Sequence, residues 1–323
     1  MWEYAALFDM PGPTELEMAM RDPAWWKKEG CDLRVGQMGY RTITTVAGDI
    51  LVAEIYPAWG KERRRKLRAA KKNLTPERIR KYNTERAKFR LELLMDENFT
   101  SEDQSLTLTY TEQPTEREIR KDVKNFIERI RRERKKRGLP EMKYIYAIES
   151  ERDGRAKQLH CHIVMSGGID RKEVEKIWRK GSKARGFANC DELQPEKEGL
   201  RKLAFYVYNQ NRGKEQAKGK RHYSCSKNLR EPKFRSSMSK VSNAKVRRMA
   251  RDFNNVAQTI MEKVYPGFEF VRGLRYQENE SGTMSESCVR FSDYTNGVYI
   301  RVMMRRKAER GKRECDTFHA GNR

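Results

Sequence analysis

The 323-residue chain is 37% hydrophobic and 36% charged, so we expect a modest core and a large solvated surface. Lys and Arg outnumber Asp and Glu by 70 to 46, and the formal charge of +24 favours nucleic acid as the partner over a membrane surface. Six scattered cysteines without a C-x-x-C pair exclude a zinc ribbon and a disulfide-stapled secreted fold, and the lack of a signal peptide or a long apolar run predicts a cytoplasmic protein with no membrane partner.

The N-terminal part is predicted to form a hairpin and a basic helical region. Two β-rich runs over residues 40–56 flank Gly48, which predicts a hairpin with a glycine turn. Residues 61–72 carry too few apolar positions for a core-facing helix, so they form either a solvated helix or a phosphate-binding arm, and the basic context favours the arm. Pro76 then begins a helix that is expected to end near Asn98.

A strand and an amphipathic helix open the second part of the chain. Leucines and threonines alternate over residues 106–110, which predicts a strand with the threonines on the face opposite the leucines. Thr115 and Glu118 have the spacing of a helix capping box, and the apolar residues that follow share one helical face. This helix is expected to run through the basic tract at residues 131–137 and to stop at Gly138.

Two of the four histidines lie one residue apart in a β-favouring segment. Side chains at positions i and i+2 of a strand share a face, so His160 and His162 are predicted to lie side by side while Cys161 points to the other face. Two imidazoles in that arrangement can bind one divalent cation, but a chance pair of exposed strand residues has the same spacing. The surroundings of the pair must decide between these two interpretations.

A preceding β-rich run supplies a candidate third metal ligand. Residues 143–149 are predicted to pair with the histidine strand through a turn at residues 152–155. With an even number of residues in that turn, Glu149 shares a face with both histidines and lies opposite or diagonal to His160. Glu151 has the same parity and is the reserve candidate, and a one-residue shift in register would turn both carboxylates away. Two imidazoles with a carboxylate suit Mg²⁺ or Mn²⁺.

Two amphipathic helices are predicted after the histidine strand. Asp170 is expected to cap the first, and the second is expected to begin near Pro195 with a buried apolar stripe. Tyr206 and Tyr208 flank that stripe on opposite sides. The helical neighbours of Tyr206 are polar, whereas those of Tyr208 are apolar, so Tyr206 is predicted to face a polar site.

Short strands that alternate with amphipathic helices indicate an α+β fold, in which helices pack on a central antiparallel sheet. Ser242 is expected to cap one long helix, and Asn296 with Gly297 between two β-rich runs predicts a hairpin. Residues 236–304 are therefore expected to form a C-terminal extension of helix and hairpin. The basic tail at residues 305–323 is expected to be disordered.

The order of these elements resembles that of the HUH endonucleases, and more narrowly that of rolling-circle replication-associated proteins of filamentous-phage type found in phages and mobile elements. The likeness rests on the strand at residues 106–110, the histidine strand and Tyr206 on a later helix, and it extends over residues 40–235. It implies an RRM-like or ferredoxin-like HUH domain at residues 101–235, after an N-terminal extension at residues 1–100. Three further segments are similar to the same group: residues 47–57, 98–99 and 226–232.

The resemblance implies that the protein nicks and rejoins single-stranded DNA at an origin through a phosphotyrosine intermediate. His160, His162 and Glu149 would then hold Mg²⁺ or Mn²⁺. Tyr206 would be the nucleophile with Tyr208 as the alternative, although the family's tyrosine motif ends in a lysine that is an asparagine here. Expected partners are single-stranded DNA or an origin hairpin, and host replication proteins such as a helicase and a polymerase. The residues expected to contact DNA are Lys202, Lys214, Arg221, Ser226, Arg131 and Arg134.

Two other classes of function are compatible with the same sequence. A non-catalytic RRM-like protein would stack bases of a single strand on Tyr144 and Tyr146. A zinc-structured DNA-binding regulator would use His160, Cys161 and His162. A covalent adduct with DNA would favour the enzyme, whereas zinc in the purified protein would favour the regulator.

Overall fold

The computed structural model describes residues 37–59, 76–152, 155–179, 185–209, 223–274, 277–278, 284–285 and 300–308. The predicted arm at residues 61–72, the predicted hairpin turn at residues 296–297 and the tail beyond residue 308 lie outside these ranges.

The described residues form twelve strands and six helices. The strands are β1 (Gln37–Ala47), β2 (Ile50–Trp59), β3 (Gln104–Tyr110), β4 (Tyr144–Arg152), β5 (Arg155–Met165), β6 (Arg185–Glu192), β7 (Ser224–Cys225), β8 (Lys233–Ser237), β9 (Phe268–Leu274), β10 (Gln277–Glu278), β11 (Met284–Ser285) and β12 (Ile300–Arg306). The helices are α1 (Pro76–Asn98), α2 (Glu116–Lys136), α3 (Arg171–Arg179), α4 (Arg201–Asn209), α5 (Asn243–Arg251) and α6 (Phe253–Val264).

The central sheet carries the histidine strand between two other strands. Its five strands lie in the order β6-β3-β5-β4-β7, and their pairings are antiparallel. The elements β3, α2, β4, β5, α3 and β6 follow one another as a βαββαβ unit, which is the chain order of ferredoxin-like folds. α2 and α3 bury their apolar side chains on one face of this sheet. The predicted α+β class, with helices packed on a central antiparallel sheet, is therefore confirmed.

The helix α2 begins and ends as the sequence predicted. Thr115 Oγ1 accepts a hydrogen bond from the Glu118 N–H at 3.3 Å, and the Glu118 carboxylate accepts one from the Thr115 N–H at 2.8 Å. Gly138, just beyond the helix, has a left-handed φ of 67°. The helix buries the predicted apolar stripe in the core: Ile119, Val123, Phe126, Ile127 and Ile130.

The helix α1 lies between the central sheet and a second sheet. On one side, Leu91 and Met95 pack with Val164 of β5 and with the apolar residues of α4. On the other side, Leu93 packs with Val52 of β2. Because both sheets share this helix, their relative position is fixed by buried apolar contacts.

The second sheet joins strands from both ends of the described chain, in the order β8-β1-β2-β12-β9. The predicted hairpin is confirmed, since Ala47 pairs with Ile50 across a turn in which Gly48 has a φ of 54°. The helices α5 and α6 cover the face of this sheet that points away from α1. The segments predicted as N-terminal and C-terminal extensions therefore contribute strands to one sheet.

The helix expected from Pro195 begins only at Arg201. Glu196 and Gly199 exchange two backbone hydrogen bonds, of 3.0 and 2.9 Å, and Gly199 has a left-handed φ of 69°. A left-handed residue is incompatible with an α-helix, so the chain turns first and the helix follows.

The long helix expected after Ser242 is broken at Asp252. Ser242 caps α5 as predicted, but Asp252 has φ −142° and ψ 69°, outside the helical region. The break brings the Phe253 ring against Gly273 of β9, where a Cβ would lie 2.0 Å from the ring. Packing of Phe253 therefore overrides the helical periodicity of the sequence.

The strand β6 is an element that the sequence pattern did not predict. Ala188 and Cys190 face the core while Asn189 between them is exposed, so the strand does alternate. Its small and polar residues have low β-propensity, which explains the weak signal. Among the helices described, none is long and apolar enough to cross a membrane.

Candidate active site

The two histidines lie side by side on β5. The centroids of the His160 and His162 rings are 4.8 Å apart, with the ring planes at 81°. Cys161 points to the opposite face and is buried in the core beneath α2, where burial raises the pKa of its thiol well above the ordinary value. The predicted alternation is confirmed. Cys161 shares no face with the histidines, which leaves the zinc-regulator interpretation without its third ligand.

The strand β4 places Glu149 opposite His160. In the ladder between β4 and β5, Ala147 pairs with His162 and Glu149 pairs with His160, whereas Glu151 pairs further along the strand. Directly paired residues share a face of a sheet, so the register predicted for Glu149 is confirmed. Its side chain is outside the described part of the structure, and its role as a metal ligand stays a prediction. Among the side chains that are described, no three His, Cys, Asp or Glu residues form a group that could hold a metal ion.

Both ring nitrogens of His162 have hydrogen-bond partners. Its Nδ1 lies 3.1 Å from Thr107 Oγ1 on the adjacent strand β3. Its Nε2 lies 3.2 Å from Tyr206 Oη on α4. Burial lowers the pKa of His162 to about 4, with a further contribution from the neighbouring His160. The imidazole is therefore neutral at physiological pH.

The helix α4 presents Tyr206 to the histidines and buries Tyr208. The Tyr206 ring lies edge-on to the His162 ring, with centroids 4.8 Å apart, and its side chain is 43% exposed. Tyr208 is only 4% exposed and packs in the cluster between α4 and α1. The polar side of the helix thus reaches the histidines, as the neighbours of Tyr206 predicted. The assignment of Tyr206 as nucleophile stays a prediction.

The residues around His162 fit a divalent-cation site. An imidazole that binds a metal offers a lone pair on one nitrogen and commonly donates from the other nitrogen to an oriented partner. With its proton on Nδ1, His162 donates to Thr107 and keeps the Nε2 lone pair on the side of Tyr206. The imidazole of His160 lies beside it, and Glu149 occupies the paired position on β4. Two imidazoles and a carboxylate are compatible with Mg²⁺ or Mn²⁺.

Thr107 is a site residue that the sequence alone did not reveal. The alternation of β3 placed it on the face opposite the leucines, but it had no assigned partner. Only the register between β3 and β5, in which Thr107 pairs with His162, shows what this threonine contacts. A polar residue on the open face of an inner strand was the signal available in the sequence.

The cations predicted to contact DNA occupy different environments. Lys202 lies on α4 four residues before Tyr206, and its exposed ammonium group forms an ion pair with Glu196 at 2.7 Å. Arg131 on α2 pairs with Glu128 at 2.8 Å, on the helix-covered side of the central sheet. Lys202 is thus placed near the site, whereas Arg131 is not. Lys214 and Arg221 lie outside the described residues.

Arg134 and Ser226, also predicted to contact DNA, are both buried. The Arg134 guanidinium donates hydrogen bonds to the backbone carbonyls of Pro140, Ser166 and Gly167. Ser226 Oγ accepts a hydrogen bond from the Tyr144 N–H at 3.1 Å. Both side chains hold backbone segments in place, and their positions give no support to the predicted DNA contacts.

The tyrosines of the non-catalytic interpretation lie on the helix-covered face of the central sheet. Tyr144 and Tyr146 are half-buried against the cluster beneath α2, and their ring centroids are 6.2 Å apart. The Arg131 guanidinium lies 5.6 Å from the Tyr144 ring centroid. These rings therefore face away from the histidines.

A ferredoxin-like antiparallel sheet with paired histidines on an inner strand and a tyrosine from a later helix defines the class of this protein as an α+β protein with a polar His–Tyr site. Residues 103–211 match the family model of the replication-associated proteins of the ORF2 type. The match covers about a third of the chain, from β3 to α4, and includes both histidines and Tyr206. This part of the chain is therefore similar to replication-associated proteins, which indicates a replication-initiator kind of protein.

No curated protein and no solved structure shows significant similarity to the chain.

Proposed function

We propose that the protein initiates rolling-circle replication by nicking and rejoining single-stranded DNA, with Tyr206 as the nucleophile. The observation that carries this proposal is the 3.2 Å separation between Tyr206 Oη and His162 Nε2. It joins a residue of α4 to a residue of β5 across 44 positions of the chain. The family match covers both elements and supports a role in replication.

In the proposed reaction, Tyr206 Oη gives up its proton and forms a bond to phosphorus. The bond between phosphorus and O3′ breaks, and O3′ takes up a proton, so the 5′ end of the cut strand stays joined to the tyrosine. The phosphotyrosine is a phosphodiester, so a free 3′-hydroxyl can attack it in turn. That second step restores the DNA strand and returns the proton to Tyr206.

A phenol is a poor nucleophile at neutral pH because its pKa is about 10. We propose that His160, His162 and Glu149 hold Mg²⁺ or Mn²⁺ next to Tyr206. When bound, such an ion would stabilise the negative charge that develops on the phosphate. The chain itself contributes position, because packing of α4 on α1 and the edge-on contact with His162 hold the tyrosine at the site.

The proposed substrate is single-stranded DNA or an origin hairpin. The charge of +24 supports binding of a phosphate backbone, and the exposed Lys202 lies on the same helix as Tyr206. The proposed partners are a host helicase, which would unwind the nicked duplex, and a host polymerase, which would extend the released 3′-hydroxyl. This reaction would take place in the cytoplasm of a bacterial host.

The proposal is tested by incubating the full chain and Mn²⁺ with 3′-end-labelled oligonucleotides that tile the DNA around its own gene. After denaturing electrophoresis, the wild-type protein should carry the 3′ label in a covalent band that EDTA prevents. Tyr206→Phe removes only the hydroxyl, so it should bind DNA and form no adduct. Tyr208→Phe is the matched control on the same helix and should retain the adduct.

Binding of DNA by the wild-type protein without any adduct would instead support the non-catalytic single-strand binder. Peptide mapping of the adduct locates the linkage, and a phosphotyrosine at Tyr208 would show that the nucleophile is the other tyrosine of α4.

A further inference from the structure

Phe187 is the most exposed large apolar side chain in the described part of the structure. Its side chain is 71% exposed, compared with 46% for Met238 and 43% for Tyr206. It lies on β6, the edge strand of the central sheet. Single exposed apolar residues are common, so exposure alone assigns no role to Phe187.

The backbone of Phe187 is fixed by a side chain of the neighbouring strand. Thr109 Oγ1 accepts a hydrogen bond from the Phe187 N–H and donates one to the Phe187 carbonyl, both at 2.8 Å. The register between β3 and β6 shifts at this point, so β6 has one extra residue between the partners of Leu108 and Tyr110. The ring is therefore presented from a strand whose backbone is tied to its neighbour.

Phe187 lies on the histidine side of the central sheet. The next residue, Ala188, is buried in the core on the helix-covered face, whereas Phe187 is exposed. Two residues further on, Asn189 pairs with Thr107, which contacts His162. Since adjacent strands are about 4.8 Å apart, two strand spacings place β6 about 10 Å to the side of β5.

A cation lies next to the exposed ring. The Arg179 guanidinium, at the end of α3, is 5.4 Å from the Phe187 ring centroid. A flat apolar surface next to a cation is the combination with which proteins bind single-stranded nucleic acid, since bases stack on the ring and the cation attracts phosphate.

We propose that Phe187, with Arg179 beside it, is a stacking platform for a base of the single-stranded DNA that passes the histidine pair. This inference rests on the proposed function, because the strand is the substrate proposed for Tyr206. The ring would hold the DNA about two sheet strands away from the cleaved phosphate. Phe187 is thus a substrate-positioning residue, and stacking makes it tolerant of sequence because every base has a π-face.

The test measures binding of a fluorescein-labelled oligo(dT) 20-mer to the full chain by anisotropy, in EDTA so that no cleavage occurs. Phe187→Ala should weaken binding by about 5- to 150-fold, the range for loss of one stacked base. Phe187→Trp keeps an aromatic face and should bind within about threefold of wild type. Met238→Ala removes an exposed apolar side chain from the other sheet and should leave affinity unchanged.

The dependence of affinity on salt separates stacking from charge. Phe187→Ala removes no phosphate contact, so the slope of log affinity against log salt should equal that of the wild type. Circular dichroism and thermal unfolding of each variant check that the fold is retained.

Equal affinities of wild type and Phe187→Ala, with tight binding by both, would overturn this inference and leave the proposed function intact. Failure of the wild-type protein to bind the 20-mer would overturn both. Weakening by Phe187→Trp as large as by Phe187→Ala would also overturn it, because an aromatic ring would then not be what the DNA contacts.

Discussion

Asp96 Oδ1 accepts a hydrogen bond from the Leu200 N–H at 2.7 Å, which joins the last turn of α1 to the residue before α4. Gly199 approaches the same carboxyl group so closely that a Cβ there would lie 2.4 Å from Oδ1. Since α4 carries Tyr206, this buried junction fixes the start of the helix that presents the tyrosine to His162.

Gly199→Ala should lower both stability and adduct formation. The new methyl group would overlap the Asp96 carboxyl group, and the φ of 69° is strained for any residue with a Cβ. We expect a loss of about 2–4 kcal/mol in the free energy of unfolding, measured with urea. We also expect a lower adduct yield at temperatures where the variant is still folded, because α4 must shift.

Gly138→Ala is the matched control for this change. Its φ of 67° is nearly the same, but nothing lies within 4 Å of the added Cβ. It should cost only the left-handed strain, about 1–2 kcal/mol, and should leave the adduct yield unchanged. Equal effects of the two substitutions would show that crowding against Asp96 is unimportant.

The Asp96 carboxyl group should make stability depend on pH. Burial raises its pKa to about 8, against the hydrogen bond from Leu200, which lowers it. The folded state then keeps a proton that the unfolded state releases near pH 4, so stability is full below that pH and falls as the pH rises towards 8. The slope is at most about 1.4 kcal/mol per pH unit.

Asp96→Asn removes this titration and keeps an Oδ1 acceptor for the Leu200 N–H. The stability of the variant relative to wild type should therefore increase between pH 5 and pH 8 and level off above that. Urea denaturation at pH 5, 6.5, 8 and 9 measures the difference. Parallel pH profiles for the two proteins would mean that the carboxyl group is already ionised in the folded state.

Thr107→Val should weaken metal-dependent nicking with little effect on stability. The hydroxyl contacts His162 Nδ1 at 3.1 Å, and an outer-shell partner of a metal-binding histidine contributes about 10- to 100-fold to metal affinity or activity. The Mn²⁺ concentration needed for half-maximal adduct formation should rise by that factor. Thr107→Ser keeps the hydroxyl and should restore the wild-type value. An unchanged Mn²⁺ requirement for the valine variant would show that Thr107 does not position the histidine.

Local patterns in the sequence predicted much of the central domain. The capping box at Thr115 and the alternation around Cys161 depend on neighbours in the chain, so periodicity was enough to place them. The pairing of β2 with β12 joins residues such as Ile55 and Ile300, and no local signal links segments so far apart. The break at Asp252 likewise depends on a distant residue, Gly273.

The site was partly predictable for the same reason. The parity argument placed Glu149 on the histidine face, and the polar neighbours of Tyr206 indicated the side of α4 that meets it. The partner of His162 on β3 and the exposed ring at Phe187 could not be predicted, since both follow from the pairing of β3 with strands that come much later in the chain.

Binding of DNA should be mainly electrostatic. On single strands, a plot of log affinity against log salt should have a slope of about −0.7 for each phosphate contacted. The substitution of Arg63, Arg64 and Arg65 by Gln, within the proposed arm, should reduce that slope by up to about 2. Arg137→Gln is the control, because Arg137 already pairs with Glu133 and Glu173, and its slope should equal that of the wild type. A flat plot for the wild-type protein would contradict the electrostatic model.

Replacement of either His160 or His162 by Ala should abolish nicking while DNA affinity stays within a few fold of wild type. The imidazoles are the nitrogen donors of the proposed cation site, so their loss should reduce adduct formation by more than the roughly 100-fold attributed to an outer-shell partner. Phosphate binding by a chain with a charge of +24 is spread over many cations, so it should survive. Adduct yield and anisotropy on the same oligonucleotide measure the two effects separately. A parallel loss of binding and nicking, with a lower unfolding temperature, would mean that the substitution unfolds the site. An adduct retained by both variants would show that the histidine pair takes no part in the reaction.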